Sequence, residues 1–595
     1  MALISVRDLL KIKKLNKLGG DITARLLMVL LSFNKVNKLY SKYQHKSGKE
    51  FIHLVLKELK IKYEIDPQEL KNIPGKGAFI IVANHPLGGL EGMILLEEIS
   101  RVRPDFKILG NFLFKKLEPI GDSVLDVNPF ENQKDLKSSV PGLRKALSHL
   151  REDKCLAIFP AGEVSSFQPE TNQISDRKWI SSVIRFIKKA EVPVIPVYFS
   201  GKNSKLFYLL GIVHPLLRTA KIPSELFNKK NEQIVVRIGK PVSLKDQRKF
   251  DNISKYGRFL RARTYALGTN ISVDSFYKNS FKILPKPKPI INAIDKIVIS
   301  GEIKNLAVRD HLFDYAHYSV YCTEIQDIPK IILEIGRLRE LTFRNVGEGT
   351  NRKIDLDEYD LYYHHLFIWD NEKGNIVGAY RLGNGQEIVQ TYGVKGFYTN
   401  CLFKIDKEFY PVLEKSIELG RSFIAKDYQK NPVALYLLWK GIYCFLQMNS
   451  GYRYLIGPVS ISNAFSTFSK SLITQYIRQN HFSDEFSPYI RPRKSFEPMS
   501  SIVDTEILLG DSDDLGLIDR VIKDVESTHL GIPVLLKKYL QLNGKIACFN
   551  VDPKFNDSLD GFLILDIKEI PQHMISSFSK GSNFQVHPPI KVDVY

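Results

Sequence analysis

The run Ala83-Asn84-His85-Pro86-Leu87-Gly88-Gly89-Leu90-Glu91 places a histidine and a carboxylate in one short glycine-rich turn. An imidazole oriented by a nearby carboxylate is the usual general base near neutral pH. Three more blocks follow in order. They are Gly110-Asn111-Phe112-Leu113-Phe114-Lys115-Lys116 running on to Pro119-Ile120-Gly121, then Phe159-Pro160-Ala161-Gly162-Glu163, then Val192-Pro193-Val194-Ile195-Pro196-Val197. Taken singly, each also suits a purely structural role: a polar turn, a strand end, a buried edge strand. In the second half the polar groups of interest are Arg339, Phe343 and Arg344, then Asp355, Asp357 and Asp360, then Arg381, Glu418 and Arg421. One by one these read as surface ion pairs. His364 and His365 are neighbours in a strand-like run, so they face opposite ways. Neither has metal-ligand spacing with another histidine, and no metal site is expected.

The elements that must hold these groups follow from periodicity. Ala78-Phe79-Ile80-Ile81-Val82 precedes the His85 turn, and a helical pattern, Met93-Ile94-Leu95-Leu96, follows it. A buried strand therefore gives way to a helix there, where catalytic groups tend to be displayed. In the first half, strands are expected at 78–83, 155–160, 193–199 and 234–238, with helices at 49–61, 89–101, 139–151 and 177–190. In the second half, strands are expected at 365–369, 376–382, 453–460 and 561–566, with helices near 328–344 and 432–449. The fold class is α/β in two domains. Ile283-Leu284-Pro285-Lys286-Pro287-Lys288-Pro289 reads as an extended spacer. The boundaries are then a helical segment at 1–70 suited to a membrane surface, a first domain at 71–282, a linker at 283–292 and a second domain at 293–595.

Charge divides at the same place. Residues 1–290 hold 51 Lys and Arg against 27 Asp and Glu, a net +24, whereas the remainder is net −4. The excess suits an anionic partner such as a membrane or an acidic protein, or else a solvated Lys-rich face. The five cysteines are scattered with no CxxC pair, which suits reduced thiols in a cytosolic protein. No run is long enough to span a bilayer. The segment from Ile4 to Lys42 mixes apolar residues and lysines at helical spacing, as an interfacial helix or one packed on its own domain would.

Together and in order, the four blocks of the first half resemble the glycerolipid (lysophospholipid) acyltransferase family over about residues 70–240. The family pattern has four residues between histidine and acid. Here five separate His85 from Glu91, in an HPxGGx(D/E) form. The resemblance implies that His85 takes the proton of an acceptor hydroxyl attacking an acyl thioester. Glu91 would fix the imidazole, and backbone N–H groups of the turn would hold the oxyanion. Lys115, Lys116, Phe159, Pro160, Gly162 and Glu163 would line the substrate site.

RxxxF, DxDxxD, GxYR and ExxR in the second half resemble the acyl-homoserine-lactone-synthase branch of GNAT-like acyltransferases, and more so its ornithine-acylating, hemolysin-like relatives. Arg339, Phe343, Asp357, Asp360, Arg381, Glu418 and Arg421 carry over as substrate-binding residues. The order of the halves is similar to bifunctional ornithine lipid synthases of bacteria. That implies N-acylation of an amino acid by a 3-hydroxyacyl thioester, then O-acylation of the new hydroxyl. It implies no bound cofactor, an acyl carrier protein or coenzyme A thioester as co-substrate, and acyl carrier protein and an anionic membrane as partners. No nucleic acid is implied. The protein would lie on the cytoplasmic face of the cell membrane. The same motifs leave open glycine as acceptor, a lysophosphatidate acyltransferase with an accessory domain, and a non-catalytic scaffold.

Overall fold

The computed structural model describes residues 25, 28–29, 31–111, 117–127, 140–168, 173–213, 215–230, 232–269, 287–498, 503–510, 514–526 and 530–579. The chain forms two compact units, one of residues 1–274 with 500–529, the other of 275–499 with 530–595. This departs from a single boundary at the Pro/Lys spacer, because a stretch of the C-terminal half belongs to the first unit. Arg263 pairs with Asp524, and Arg237 Nη2 donates to the carbonyls of Asp524 and Val525, each at 3.3 Å. Arg258 grips Asp504 through two hydrogen bonds, at 2.6 and 3.0 Å. Of the spacer, Pro287–Asn292 is described, and it is not a free linker. Lys288 and Ile291 donate their N–H groups to the carbonyls of Asn351 and Lys353, both at 3.1 Å.

The first unit is built on a seven-stranded sheet. Its strands are β1 (Lys62–Ile65), β2 (Phe79–Ala83), β3 (Lys107–Asn111), β4 (Val124–Val127) and β5 (Cys155–Ile158). After a small hairpin of β6 (Ser166–Gln168) and β7 (Gln173–Ser175) come β8 (Val194–Phe199) and β9 (Gln233–Ile238). The order is β1-β9-β8-β2-β5-β3-β4, and every pair is parallel except β8 with β9. A central parallel strand is covered on both faces, so its sequence is continuously apolar. That is why β2 reads Phe-Ile-Ile-Val-Ala and is fully buried. Helix Leu90–Val102 packs its Leu90, Ile94 and Leu95 into the same core as Phe79 and Ile81.

The second unit holds an eight-stranded sheet. Its strands are β10 (His311–Tyr315), β11 (Tyr318–Thr323), β12 (His364–Asp370), β13 (Asn375–Asn384), β15 (Ser416–Ile424), β16 (Tyr454–Ile461), β18 (Lys545–Asp552) and β19 (Ser558–Asp566). β14 (Phe403–Ile405) and β17 (Ile490–Pro492) pair separately. The order is β10-β11-β12-β13-β15-β16-β19-β18. Only β15 and β16 run parallel, and only over Ser416–Glu418 against Tyr454–Ile456. Helix Pro432–Met448 makes the crossover a parallel pair requires. Its Gly441 sits against Leu366 and Val320. Helix Ile331–Asn345 packs Ile332 and Ile335 on the opposite face, with Phe367 and Trp369. Among the described residues, no helix is long and apolar enough to cross a membrane.

Candidate active sites

In the first unit the site lies at the carboxyl ends of two adjacent parallel strands, where ligands bind in open α/β sheets. His85 follows β2 and Phe159 follows β5. The two rings stack with centroids 4.6 Å apart. Asn84 fixes the strand end by exchanging two hydrogen bonds with the backbone of Phe199, at 2.9 and 2.7 Å.

Glu91 reaches His85 despite the extra residue between them: its Oε1 lies 3.3 Å from the imidazole Nδ1. The turn absorbs the insertion through Gly88 and Gly89, whose φ values of 77° and 107° favour glycine. Space enforces the first of these as well, since a Cβ on Gly88 would come within 3.0 Å of Ile222 and Val164. Glu91 is wholly buried and accepts from the N–H groups of Leu87, Gly88 and Gly89. Burial alone would raise its pKa. His85 and the N–H donors outweigh that and hold the carboxyl below its ordinary value. On the imidazole, burial lowers the pKa, but the Glu91 carboxylate and then Asp176 carry it above the usual histidine value. Nδ1 is buried against Glu91, so the exposed share of the side chain, 18 %, lies elsewhere on the ring. The arrangement can accept a proton at Nε2 while Glu91 holds the other edge.

The N–H groups of Leu87, Gly88 and Gly89 do not form the expected oxyanion hole. A buried carboxylate needs donors, and Glu91 takes all three. The His85 N–H is engaged too, donating to Asp176 at 3.2 Å. Asp176 is a buried group that sequence reasoning missed. It also accepts from Ser165 Oγ at 2.6 Å and Trp179 Nε1 at 3.3 Å. It thereby ties the turn to the segment after Gly162, but it lies 91 residues from His85 and no spacing marks it. Gly162 turns with φ 68°, and a Cβ there would fall 2.5 Å from Ile180. Pro160 accepts the Ile180 N–H at 2.9 Å. Glu163 is held by Arg218, at 2.5 Å, and Arg177, at 3.2 Å. Lys115 and Lys116 lie outside the described residues.

In the second unit, the groups that one by one read as surface ion pairs form a buried network instead. Arg339 and Arg381 are wholly buried. Arg339 donates to Asp360 at 2.7 Å, and Arg381 bonds Asp357 and lies 3.3 Å from Asp360. Arg421 contacts Asp357 at 3.1 Å and Asp355 at 3.4 Å. Asp357 and Asp360 also cap the short turn Glu358–Leu361 reciprocally. Burial would raise the Asp360 pKa, but Arg339 and Arg381 hold it far below the carboxylate range. Glu418 accepts from the N–H groups of Tyr398 and Thr399, at 2.9 and 2.7 Å, and from the Tyr363 hydroxyl. Tyr359, Tyr363 and Tyr398 surround the Arg381 guanidinium at 5.2 to 5.5 Å. Glu418 and Arg421 stand in β15, ahead of helix Pro432–Met448, and Arg421 adopts φ 50° beside a register shift. Phe343 lies 6.3 Å from Phe555. His365 is buried with Nε2 on the Asp360 carbonyl, and burial pushes its pKa down to about 4.

A family model described as "Acyltransferase" matches residues 11–275, and one described as "Acetyltransferase (GNAT) domain" matches 338–440. The chain is an acyltransferase. An acyltransferase domain stands first and a GNAT domain second. A glycine N(alpha)-acyltransferase of Phocaeicola vulgatus is 29% identical over 47% of this chain and 89% of its own length. A lyso-glycine lipid O-acyltransferase of Bacteroides thetaiotaomicron is 26% identical over 44% of the chain and 97% of its own length. An L-ornithine N(alpha)-acyltransferase of Brucella abortus is 24% identical over 38% and 76%.

Proposed function

We propose that this acyltransferase makes a two-chain aminolipid in consecutive steps. The GNAT domain transfers a 3-hydroxyacyl group from a thioester to the α-amine of an amino acid. The first domain then esterifies the hydroxyl of that product, with His85 as general base and Glu91 holding the imidazole. The observation that carries this reading is the His85–Glu91 pair on a chain that also holds a GNAT domain. Similarity to two enzymes of different named activity, each covering under half of this chain, supports the pairing of steps.

Glycine is the favoured acceptor, because the relatives named for glycine match more closely than the one named for ornithine. Ornithine stands second. An acyl carrier protein donor and an anionic membrane surface suit the basic first half. Expression in a bacterium that lacks aminolipids, followed by mass spectrometry of the lipids, tests the whole. A new diacyl aminolipid is expected, and its head-group mass names the amino acid. Accumulation of phosphatidic acid with no aminolipid would overturn the reading in favour of a lysophosphatidate acyltransferase.

A further inference from the structure

The Arg–Asp network of the second unit leaves little for an amino-acid ammonium, since Asp355, Asp357 and Asp360 already face arginines. A second group of carboxyls lies beyond Arg421. β18 and β19 pair with Asn550 opposite Asp560 and Asp552 opposite Ser558. Directly opposed residues share a sheet face, as do residues two apart, so Asp552, Ser558 and Asp560 point the same way. All three are buried, at 3 %, 0 % and 2 % exposure. From the neighbouring β16, Ser460 Oγ donates to Asp560 Oδ1 at 2.6 Å.

The turn of the hairpin brings this face to the network. Phe555 lies over the Arg421 guanidinium at 4.4 Å. Asn556 Nδ2 donates to the Gly347 carbonyl at 3.1 Å, and Ser462 Oγ to that of Val346 at 2.6 Å, which sets Glu348 at the same end of the strands. Among the described residues, none of Glu348, Asp552 and Asp560 forms an ion pair with a lysine or arginine. The Ser558 Oγ, wholly buried on the shared face, has no partner at all. Two buried carboxyls without a cation, Asp552 and Asp560, beside an orphaned hydroxyl, suit a ligand bearing a positive charge and N–H donors.

We propose that Asp560, with Asp552 and Ser558 beside it and Glu348 near by, receives the ammonium of the acceptor amino acid and takes its proton. This deepens the proposed function and rests on it. The ionised Asp560 carboxylate removes one proton from the ammonium. The freed lone pair attacks the thioester carbonyl carbon, the C–N bond forms, the C–S bond breaks, and the thiolate leaves with the second amine proton. The surroundings of Asp560 tune it for this. Burial, with the charges of Asp552 and Glu348, carries its pKa up to about 8 against the pull of Ser460 and Arg421. Burial holds Glu348 at about 7. A base in that range suits an amine far better than an ordinary carboxylate does.

The test uses the purified full chain with a 3-hydroxyacyl-acyl carrier protein thioester and either glycine or ornithine. Asp560→Asn is expected to lose about 100-fold in kcat for N-acylation, and Ser558→Ala to raise the KM for the amino acid. Folding of the unit is read by its melting temperature at pH 8, which Asp560→Asn should preserve or raise, because it removes a buried acid. Added formate should restore turnover to Asp560→Gly, which a merely structural role would not allow. Wild-type kcat in Asp560→Asn, or a folded Asp560→Gly that formate does not rescue, would overturn the proposal. A wild-type chain that acylates neither amino acid would instead sink the proposed function itself.

Discussion

The two sites solve the same problem, the burial of charged groups, with opposite constructions. At His85 the parts are local. Histidine and acid lie six residues apart, and the acid's charge is met by three N–H groups of one turn. In the GNAT domain the parts come from afar. Arg339, Asp357, Arg381 and Arg421 stand on a helix, a loop and two strands, and each charge is met by another charge. A turn can be altered at one position while the sheet behind it stays intact. A network of buried charges cannot, because each member removed leaves its buried partners short of a countercharge.

The sharpest way to break that contrast is His85→Ala. The imidazole faces Glu91 and stacks on Phe159 from a turn beyond the end of β2, so the protein should fold and O-acylation should fall by about 10³-fold or more. N-acylation should persist, and the monoacyl aminolipid should accumulate in lipid extracts. Retained ester formation in the purified variant would remove His85 from the chemistry.

Arg381→Ala probes the other construction. It takes from Asp357 and Asp360 one of the two arginines that each has in the interior, and roughly 3–5 kcal/mol of stability should go with it. Unlike His85→Ala, it should therefore abolish N-acylation together with a clear drop in the unfolding temperature of the second unit. A stable but inactive Arg381→Ala protein would show that the network serves substrate more than fold.

The same contrast governs what the sequence discloses. Strands such as β2 and β8, and helices Leu90–Val102 and Pro432–Met448, carry apolar periodicity and lie where it places them. The His85 turn is legible because its parts are contiguous. β15 is not legible as a strand: Glu418-Leu419-Gly420-Arg421 puts charge in mid-sheet, and only burial against Asp355, Asp357 and Tyr398 makes that sensible. The segment 503–526 sides with the first unit through Arg237, Arg258 and Arg263, pairings that no local pattern reveals. Asp560 did leave a trace, a lone acid in the apolar run Leu559-Asp560-Gly561-Phe562-Leu563-Ile564, which is the pattern of a buried polar group with a reason to be there.

Glu91→Gln should have the smallest effect, and it tests whether the acid matters for charge or for shape. In the wild type the Glu91 carboxylate outweighs burial and lifts the His85 pKa above its usual value. A base acts only when unprotonated, so O-acylation should fall as pH drops through that raised value. With glutamine the charge is gone, burial dominates, and the His85 pKa should move below its usual value. The acid limb of the rate profile should then shift to lower pH by about one unit or more. The maximal rate should also drop, because the glutamine amide can accept the Leu87 and Gly88 N–H groups only by turning its own N–H₂ toward the Gly89 N–H. Loss of rate without movement of the limb would mean that Glu91 acts by shaping the turn, and its charge would then have no part in setting the base.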